Sequence, residues 1–341
     1  MNWSDLEYID FKINAKTGEK YYQQYLKPSY FLELYLRWTS NDEILILHQS
    51  IIKEIGHLFK YHHNSNKSSE SRISDKEKIF NTIPEFLVSK KTYLWQKLSN
   101  SGGVGKGTEI GGTGDASLSY WIHKTPFTEN LKIQQVQNYK DSLEKFDTDM
   151  LPMGIRVSKI NICFPINHFK KPQDFFNWVM NNEFIKNGNF FSGSAGYGIN
   201  FWEGYTNKKA DEKLNEILSE LPGLDLEIKG NNIGRVLNKN KTDFLPIVKR
   251  LNWLTFISLE GIEELGGFDQ LKAEIEKNKI SKLHQLKNGV CIQIDKEPIL
   301  SEKDLNFNQY YTVQNIISKL KFRNHPKDNQ KHLAWFYKFD K

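Results

Sequence analysis

The amino-acid sequence predicts an α+β fold in which mixed or antiparallel sheets pack against amphipathic helices. Runs of alternating or continuous apolar residues are interspersed with segments whose apolar residues recur at helical spacing. The 341 residues, 13% of them aromatic, can bury one large core or two smaller ones. The same order of predicted elements, a strand, an amphipathic helix and then further strands, occurs twice along the chain. This repetition predicts two similar halves, at residues 1–150 and 151–341.

Cysteine usage and the absence of long apolar runs narrow the class of protein. Cys163 and Cys291 each lie in an apolar run, which predicts buried, reduced thiols rather than a disulfide framework. The N-terminal residues lack the basic and apolar regions of a signal peptide. No apolar run reaches the roughly 18 residues that a membrane helix needs. We therefore expect a cytoplasmic protein that does not enter a membrane.

The charge of the chain is mildly basic and unevenly distributed. The net charge of +6 is spread through lysine-rich stretches, without the arginine clusters typical of nucleic-acid readers. Residues 203–228 and 260–277 are acidic instead, each with a net charge of −4. These segments are either solvated helix faces or an acidic patch that meets a basic partner.

The N-terminal half opens with predicted strands and a helix. Residues 7–14 and Tyr30–Trp38 alternate between apolar and polar side chains, as half-buried strands do. Asp42 is the predicted cap of a helix over residues 43–61 with one apolar stripe. His62–Ser74 is polar and has no period, which predicts a loop. No carboxylate stands at metal-ligand spacing from the histidines of this region, so we expect no metal site.

Residues 100–114 contain seven glycines and resemble a phosphate-binding loop only at first sight. A Walker loop needs Ser or Thr after its lysine, but Lys106 is followed by Gly107. A dinucleotide fingerprint fails too, because Ile110 stands where the third glycine belongs. We predict a flexible loop or a hairpin connector here, and no cofactor.

Beyond this connector, strands and helices alternate. Asn189–Trp202 contains two aromatic-rich runs broken by small residues, which predicts a hairpin or two adjacent strands. Ser194 lacks the glycine that a nucleophile elbow places two residues before its serine. The other predicted elements are a strand at Ser117–Ile122, a helix at Leu131–Phe146, a strand at Gly154–Phe164, a helix from Pro172 and a helix at Ala210–Leu221 that Pro222-Gly223 ends.

The segment Leu251–Gly267 is the predicted central packing unit of the chain. Its apolar start forms a short buried strand, Ser258 caps a short helix, and Gly266-Gly267 stops that helix. We assign Trp253, Leu254 and Phe256 to the core. The remaining predicted elements are a helix at Phe268–Lys277, strands at Ile280–Leu286 and Gly289–Ile294, a helix at Asn308–Leu320 and a terminal strand at His332–Phe339.

The Trp253 strand, with the Leu265-Gly266-Gly267 that follows it, resembles the signature of the type VI immunity family, the TsiV-like antitoxins of interbacterial competition. The family usually has a loop of the pattern G-x-x-P-x-L-G. In the corresponding segment, Asp295–Ser301, Pro298 and Leu300 match this pattern, but the first and last positions are not glycine. The resemblance covers about residues 155–320, and its other pieces occur in the family's order: Gly196-Tyr197-Gly198, Pro222-Gly223-Leu224-Asp225, Gly289–Ile294 and Tyr310-Tyr311.

The resemblance implies an immunity protein that binds a type VI secretion toxin in the cytoplasm and covers its active site. The toxin could be a nuclease or belong to another class. This function needs no catalytic residue, cofactor, metal or nucleic acid here, and the sequence shows no triad, zinc set, phosphate loop or paired carboxylates. Two alternatives stay open: a nucleic-acid-binding protein that uses the lysine-rich stretches, or an enzyme that reverses the toxin's damage.

The candidate toxin-binding residues lie where aromatic side chains adjoin the first acidic segment. Rigid aromatic anchors with acidic neighbours fit a basic toxin cleft, within an interface of about 1,600 Å² in total. The alternative interpretation places Tyr197 and Trp202 in the core. The candidates are Tyr197, Trp202, Glu203, Tyr205, Asp211 and Glu212.

Overall fold

The computed structural model describes residues 2–13, 18, 20–37, 40–64, 71–91, 93–101, 111–112, 114–124, 158–201, 208–226, 235–237, 244–246, 248–277, 279–321 and 338–339. Its strands are β1 (Tyr8–Ile13), β2 (Lys20–Leu36), β3 (Tyr61–Asn64), β4 (Ser71–Arg72), β5 (Tyr93–Ser99), β6 (Gly111–Gly112), β7 (Ser117–His123), β8 (Ser158–Pro165), β9 (Phe190–Phe201), β10 (Asp225–Leu226), β11 (Arg235–Leu237), β12 (Phe244–Pro246), β13 (Leu254–Ser258), β14 (Lys282–Leu286) and β15 (Gly289–Gln293). Its α-helices are α1 (Asn41–Ile55), α2 (Lys76–Phe80), α3 (Thr82–Val88), α4 (Pro172–Asn181), α5 (Glu183–Lys186), α6 (Lys208–Glu220), α7 (Leu259–Glu264), α8 (Phe268–Glu276) and α9 (Asn308–Ile316). Short 3-10 helices lie at Trp3–Leu6, Gly56–Leu58 and Ser318–Leu320.

One sheet of thirteen strands organises this part of the chain. Its main path runs β14-β15-β13-β9-β2-β8-β7-β5-β3-β4, while β1 and β6 pair with β2 and β10 pairs with β9. The pairs along the main path are antiparallel, and β6 and β10 each join in parallel. A mixed sheet packed against helices confirms the predicted α+β fold.

The long strand β2 brings the two halves of the sequence together. It pairs with β8 on one side, through Leu32 and Ile162 among others, and with β9 on the other. Strands from both halves are therefore neighbours in one sheet. The boundary near residue 150 lies outside the described residues, and a division into two similar halves stays a prediction.

Helices cover both faces of the sheet. We call one side the α1 face. It carries Leu32 and Leu34 of β2, and their side chains share a core with α1, α3, α4 and α5. The other side, the α6 face, carries Glu33 and Tyr35. There Tyr35 packs with the apolar side of α6, and Ile257 of β13 packs with α7, α8 and α9.

Local sequence explains several helix ends. The backbone N–H of Ser40 donates to Glu43, three residues later, so Ser40 rather than the predicted Asp42 is the cap of α1. Pro172 opens α4, as expected. Gly266 and Gly267, with φ of 98° and 95°, separate α7 from α8 in a conformation that other residues rarely adopt.

Three predictions about elements were wrong. His62–Ser74 is not simply a loop, because its described residues include β4 and most of β3. The described residues of the segment 189–202 form neither a hairpin nor two adjacent strands, because residues 190–201 are the single strand β9. The helix predicted to reach Tyr61 ends at Ile55, and a 3-10 turn follows it.

Other predictions hold or lie outside the described residues. Trp253, Leu254 and Phe256 are fully buried, which confirms the assigned core, and Cys163 and Cys291 are buried free thiols. Within the described residues no helix is long and apolar enough to cross a membrane. The predicted helix at 131–146, most of the glycine-rich segment and residues 332–337 of the predicted terminal strand lie outside that part.

Candidate functional site

Five buried charged side chains form a cluster on the α6 face, a feature that the sequence analysis did not predict. Each is at most 3% exposed. They come from β2, β8, β10 and the segment before β13. This buried charge cluster consists of Glu33, Lys159, Asp225, Lys249 and Arg250.

Lys249 lies at the centre of the buried charge cluster. Its Nζ atom is 2.8 Å from Glu33 Oε1 and 3.0 Å from Asp225 Oδ1. Lys159 Nζ lies 3.3 Å from the other oxygen of Glu33, and Tyr35 donates its hydroxyl hydrogen to Glu33 at 3.1 Å. Each of the two buried carboxylates is thus paired with at least one cation, which offsets part of the free energy lost by removing it from water.

Asp225 is also held by neutral donors. Ser194 Oγ donates to Asp225 Oδ2 at 2.7 Å, and Asn252 Nδ2 donates to the same oxygen at 3.1 Å. Arg250 donates instead to backbone carbonyl groups, at 2.9 Å to Leu224 and at short range to Pro222. The cluster therefore fixes the turn after α6 against β9.

The electrostatics keep both central partners of this cluster charged. Burial alone would raise the pKa of Asp225, but Lys249 and the hydrogen bonds offset it and the pKa is lowered. Burial alone would lower the pKa of Lys249, yet Asp225 and Glu33 raise it. Ser194 is 3% exposed and gives its hydrogen to a carboxylate that stays ionised. The arrangement stabilises the fold and offers no accessible reactive group.

The predicted binding residues have different surroundings. Tyr197 is partly buried on β9, where its ring lies 4.7 Å from Trp3 and 4.8 Å from Tyr30, centroid to centroid. Its hydroxyl is 3.4 Å from that of Tyr30, and burial raises its pKa. Tyr197 is thus tied to the edge of the core. Trp202, Glu203 and Tyr205 lie outside the described residues.

Asp211 and Glu212 lie in the first turns of α6, whose apolar side is buried. Glu212 is exposed and pairs with Lys208 at 3.7 Å, while Asp211 is half-buried. Two further acids, Glu216 and Glu220, are exposed on the same helix. The structure therefore places the two predicted acids on an accessible helix.

A second acidic surface covers α7 and α8. Glu263, Asp269 and Glu274 are exposed there, and Leu259 at the start of α7 exposes 43% of its surface. Glu260 pairs with Arg37 of the segment after β2. The acidic segment 260–277 is therefore a solvated helix surface in the structure, with an apolar residue at its edge.

The charged helix surfaces of this protein are accessible, whereas its buried charge cluster is not. Comparison with known protein families identifies the class of protein. A family model described as "TsiV: Type VI immunity for VRR-NUC" matches residues 132–339. The match covers more than half of the chain, so the chain belongs to this family. It is a type VI immunity protein.

A solved structure of a Pseudomonas aeruginosa type VI secretion system protein has a similar fold. The two are 13% identical in sequence, with a TM-score of 0.65 over 98% of this chain and 87% of that one. At this level of identity the similarity concerns the fold alone. The chain matches no curated protein.

Proposed function

We propose that this chain protects the cell that makes it against a type VI secretion nuclease of the VRR-NUC kind. The family match over residues 132–339 carries the proposal, because the family is described as immunity for VRR-NUC. We propose that protection acts in the cytoplasm, where a nuclease meets its substrate.

The proposed mechanism is stoichiometric binding that covers the active site of the nuclease, without catalysis by the immunity protein. A nuclease must bind the phosphate backbone, which requires a positively charged surface. The exposed acids of α6 and of α7–α8 offer complementary charge. We propose that Asp211 and Glu212 contact such a surface, with Tyr197, Trp202, Glu203 and Tyr205 nearby in the sequence.

Binding and growth measurements together test this proposal. The purified chain would be titrated calorimetrically with a catalytically inactive form of the toxin domain encoded beside it, and both would be co-expressed in a susceptible host. We expect a one-to-one complex and restored growth. Restored growth without a complex would instead identify an enzyme that reverses the damage. A complex that leaves nuclease activity intact in vitro would rule out active-site blockage.

A further inference from the structure

A third accessible surface, composed mainly of aromatic side chains, lies on β3, β5 and β7. The side chains are partly exposed and project from one side of three adjacent antiparallel strands. This surface, the aromatic face, consists of His63, Tyr93, Trp95, Trp121 and His123.

The rings of the aromatic face pack against one another. Trp95 lies between His63, whose ring centroid is 4.5 Å away, and Trp121, at 5.5 Å. Tyr93 stacks on His123 at 4.7 Å. Mutual packing limits the movement of each ring, so a partner would meet a rigid surface and would order few side chains on binding.

Strand register places the aromatic face on the same side of the sheet as the acidic helices. Directly opposed residues of antiparallel strands point to the same side. Tyr35, which packs with α6, opposes Lys159, and Lys159 opposes Trp121, which in turn opposes Trp95. A partner that contacts α6 can therefore reach the aromatic face without crossing the sheet.

The chemistry of the aromatic face favours an acidic partner. The strands β3, β4, β5 and β7 contain no Asp or Glu, while Lys97 and Arg72 are present. Lys97 opposes His63, so it projects on the same side as the rings. Within the described part of the chain, no acceptor is found for the indole N–H of Trp95 or of Trp121. Indole N–H and ammonium groups donate hydrogen bonds, and carboxylates are good acceptors for them.

We infer that the aromatic face is a docking surface for a carboxylate-rich region of the toxin domain. This inference rests on the proposed function. Nucleases that use divalent cations bind them through carboxylates, so such a partner offers an acidic region beside its basic phosphate-binding surface. Trp and Tyr are also the residues that most often dominate binding energy at protein interfaces.

The ring geometry favours a protein over single-stranded nucleic acid. Bases stack on open aromatic faces. Here His63 meets Trp95 edge to face, and the planes of Trp95 and Trp121 are tilted by 47°. Neighbouring rings in this arrangement cover part of one another's faces, which leaves less open surface for a base to stack on.

Charge reversal on the aromatic face tests the inference. Lys97→Glu would be compared with Lys282→Glu, the same substitution at an exposed position of β14, at the opposite end of the sheet. We expect Lys97→Glu to raise the Kd for the inactive toxin domain at least about tenfold, because it sets a carboxylate against carboxylates. The control should change the Kd less than about twofold, which is within the range of a remote surface charge.

A second substitution and a nucleic-acid probe complete the test. Trp121→Leu should also weaken toxin binding. If Lys97→Glu lowers the melting temperature, Lys97→Gln would replace it, with a smaller loss of affinity expected. Wild-type affinity in these variants would overturn the inference while leaving the proposed function intact. No complex with the wild type would overturn both. The inference also fails if Lys97→Glu abolishes binding of a fluorescent single-stranded oligonucleotide but not of the toxin.

Discussion

Lys249 forms a buried ion pair with Glu33, 2.8 Å from Nζ to Oε1, and this contact joins the first half of the chain to the second. Lys249 lies in the segment before β13, whereas Glu33 lies on the central strand β2. A second pair, from Lys249 to Asp225, extends the connection to the turn after α6. Because one ammonium group pairs with both carboxylates, the three residues act as a unit, and Lys159 gives Glu33 a second cation.

Replacing the shared cation should be strongly destabilising. We expect Lys249→Met to lower the free energy of unfolding by about 3 to 5 kcal/mol, because Asp225 loses its ion pair and Glu33 keeps only Lys159 as a cationic partner. Denaturant unfolding monitored by circular dichroism measures this change. Lys213→Met, which breaks the surface pair with Glu216, is the matched control and should cost less than about 1 kcal/mol. Equal losses in the two variants would contradict a central role for Lys249.

The periodic elements of this fold could be predicted from the sequence. Continuous or alternating apolar residues identified β7 and β13, although β13 begins at Leu254 and not at the predicted Leu251. Helical spacing identified α4 and α6. Proline and glycine signals located two boundaries, at Pro172 and after Glu264. These signals are local, so each can be detected without knowing which strands pair.

The buried charge cluster could not be predicted in the same way. Glu33 and Lys159 occupy alternate positions of strands, a pattern that ordinarily indicates solvent-facing residues. Lys249, which pairs with Glu33, and Asp225, which pairs with Lys249, lie far away in the sequence, so only the assembled sheet brings the charges together. One local signal was available: the residues on both sides of Glu33 in its strand are apolar or aromatic, which indicates a strand buried on both faces.

Glycines explain why β9 was predicted as a hairpin or as two adjacent strands. Gly193 lies in the middle of this strand, and a Cβ atom there would be 2.6 Å from the carbonyl oxygen of Glu33. The glycine is present because strands approach closely, not because the chain turns. For the candidate binding residues, local sequence indicated exposed acids at Asp211 and Glu212, but burial of Tyr197 depends on Trp3 and Tyr30, which are distant in sequence.

Truncation of Trp253 should show how much the burial of its side chain stabilises the fold. Its side chain is fully buried beside Phe176, and its indole N–H donates to the Asp295 carbonyl at 2.7 Å. We expect Trp253→Ala to cost about 3 to 5 kcal/mol of stability in chemical unfolding. Trp253→Phe keeps most of the volume and should lose much less. An unchanged melting temperature in the alanine variant would disprove the core assignment.

His48 should make stability depend on pH between about 6.5 and 4. Its ring nitrogens lie 2.9 Å from the hydroxyl of Tyr120 and from the Phe80 carbonyl, and burial lowers its pKa to about 4. Below its usual pKa of 6.5 the unfolded chain binds a proton that the folded chain does not. The folded state therefore loses stability as pH falls through this window, by about 3 kcal/mol.

Unfolding measured across that window tests the assignment to His48. His48→Gln removes the titrating group while its amide can still reach a polar neighbour, so the free energy of unfolding should fall less steeply from pH 6.5 to 4. The variant will be less stable than the wild type near pH 7.5, where hydrogen bonding alone differs. An identical slope in the two proteins would assign the pH dependence to other groups.

Gly188 should be intolerant of a side chain for two separate reasons. Its φ of 68° is in the left-handed region, and an added Cβ atom would lie 2.7 Å from the backbone carbonyl carbon of Asn288, in the turn between β14 and β15. That turn is anchored here, because Asn288 Nδ2 donates to the Asn187 carbonyl at 2.8 Å.

Gly18→Ala is a matched control, since Gly18 has a φ of 70° and nothing within 4 Å of the added atom. The control should cost only the conformational strain, roughly 1 to 2 kcal/mol. Gly188→Ala should cost a further 1 to 3 kcal/mol or so, because the turn must move. Equal losses in thermal unfolding would show that the contact with Asn288 adjusts without cost.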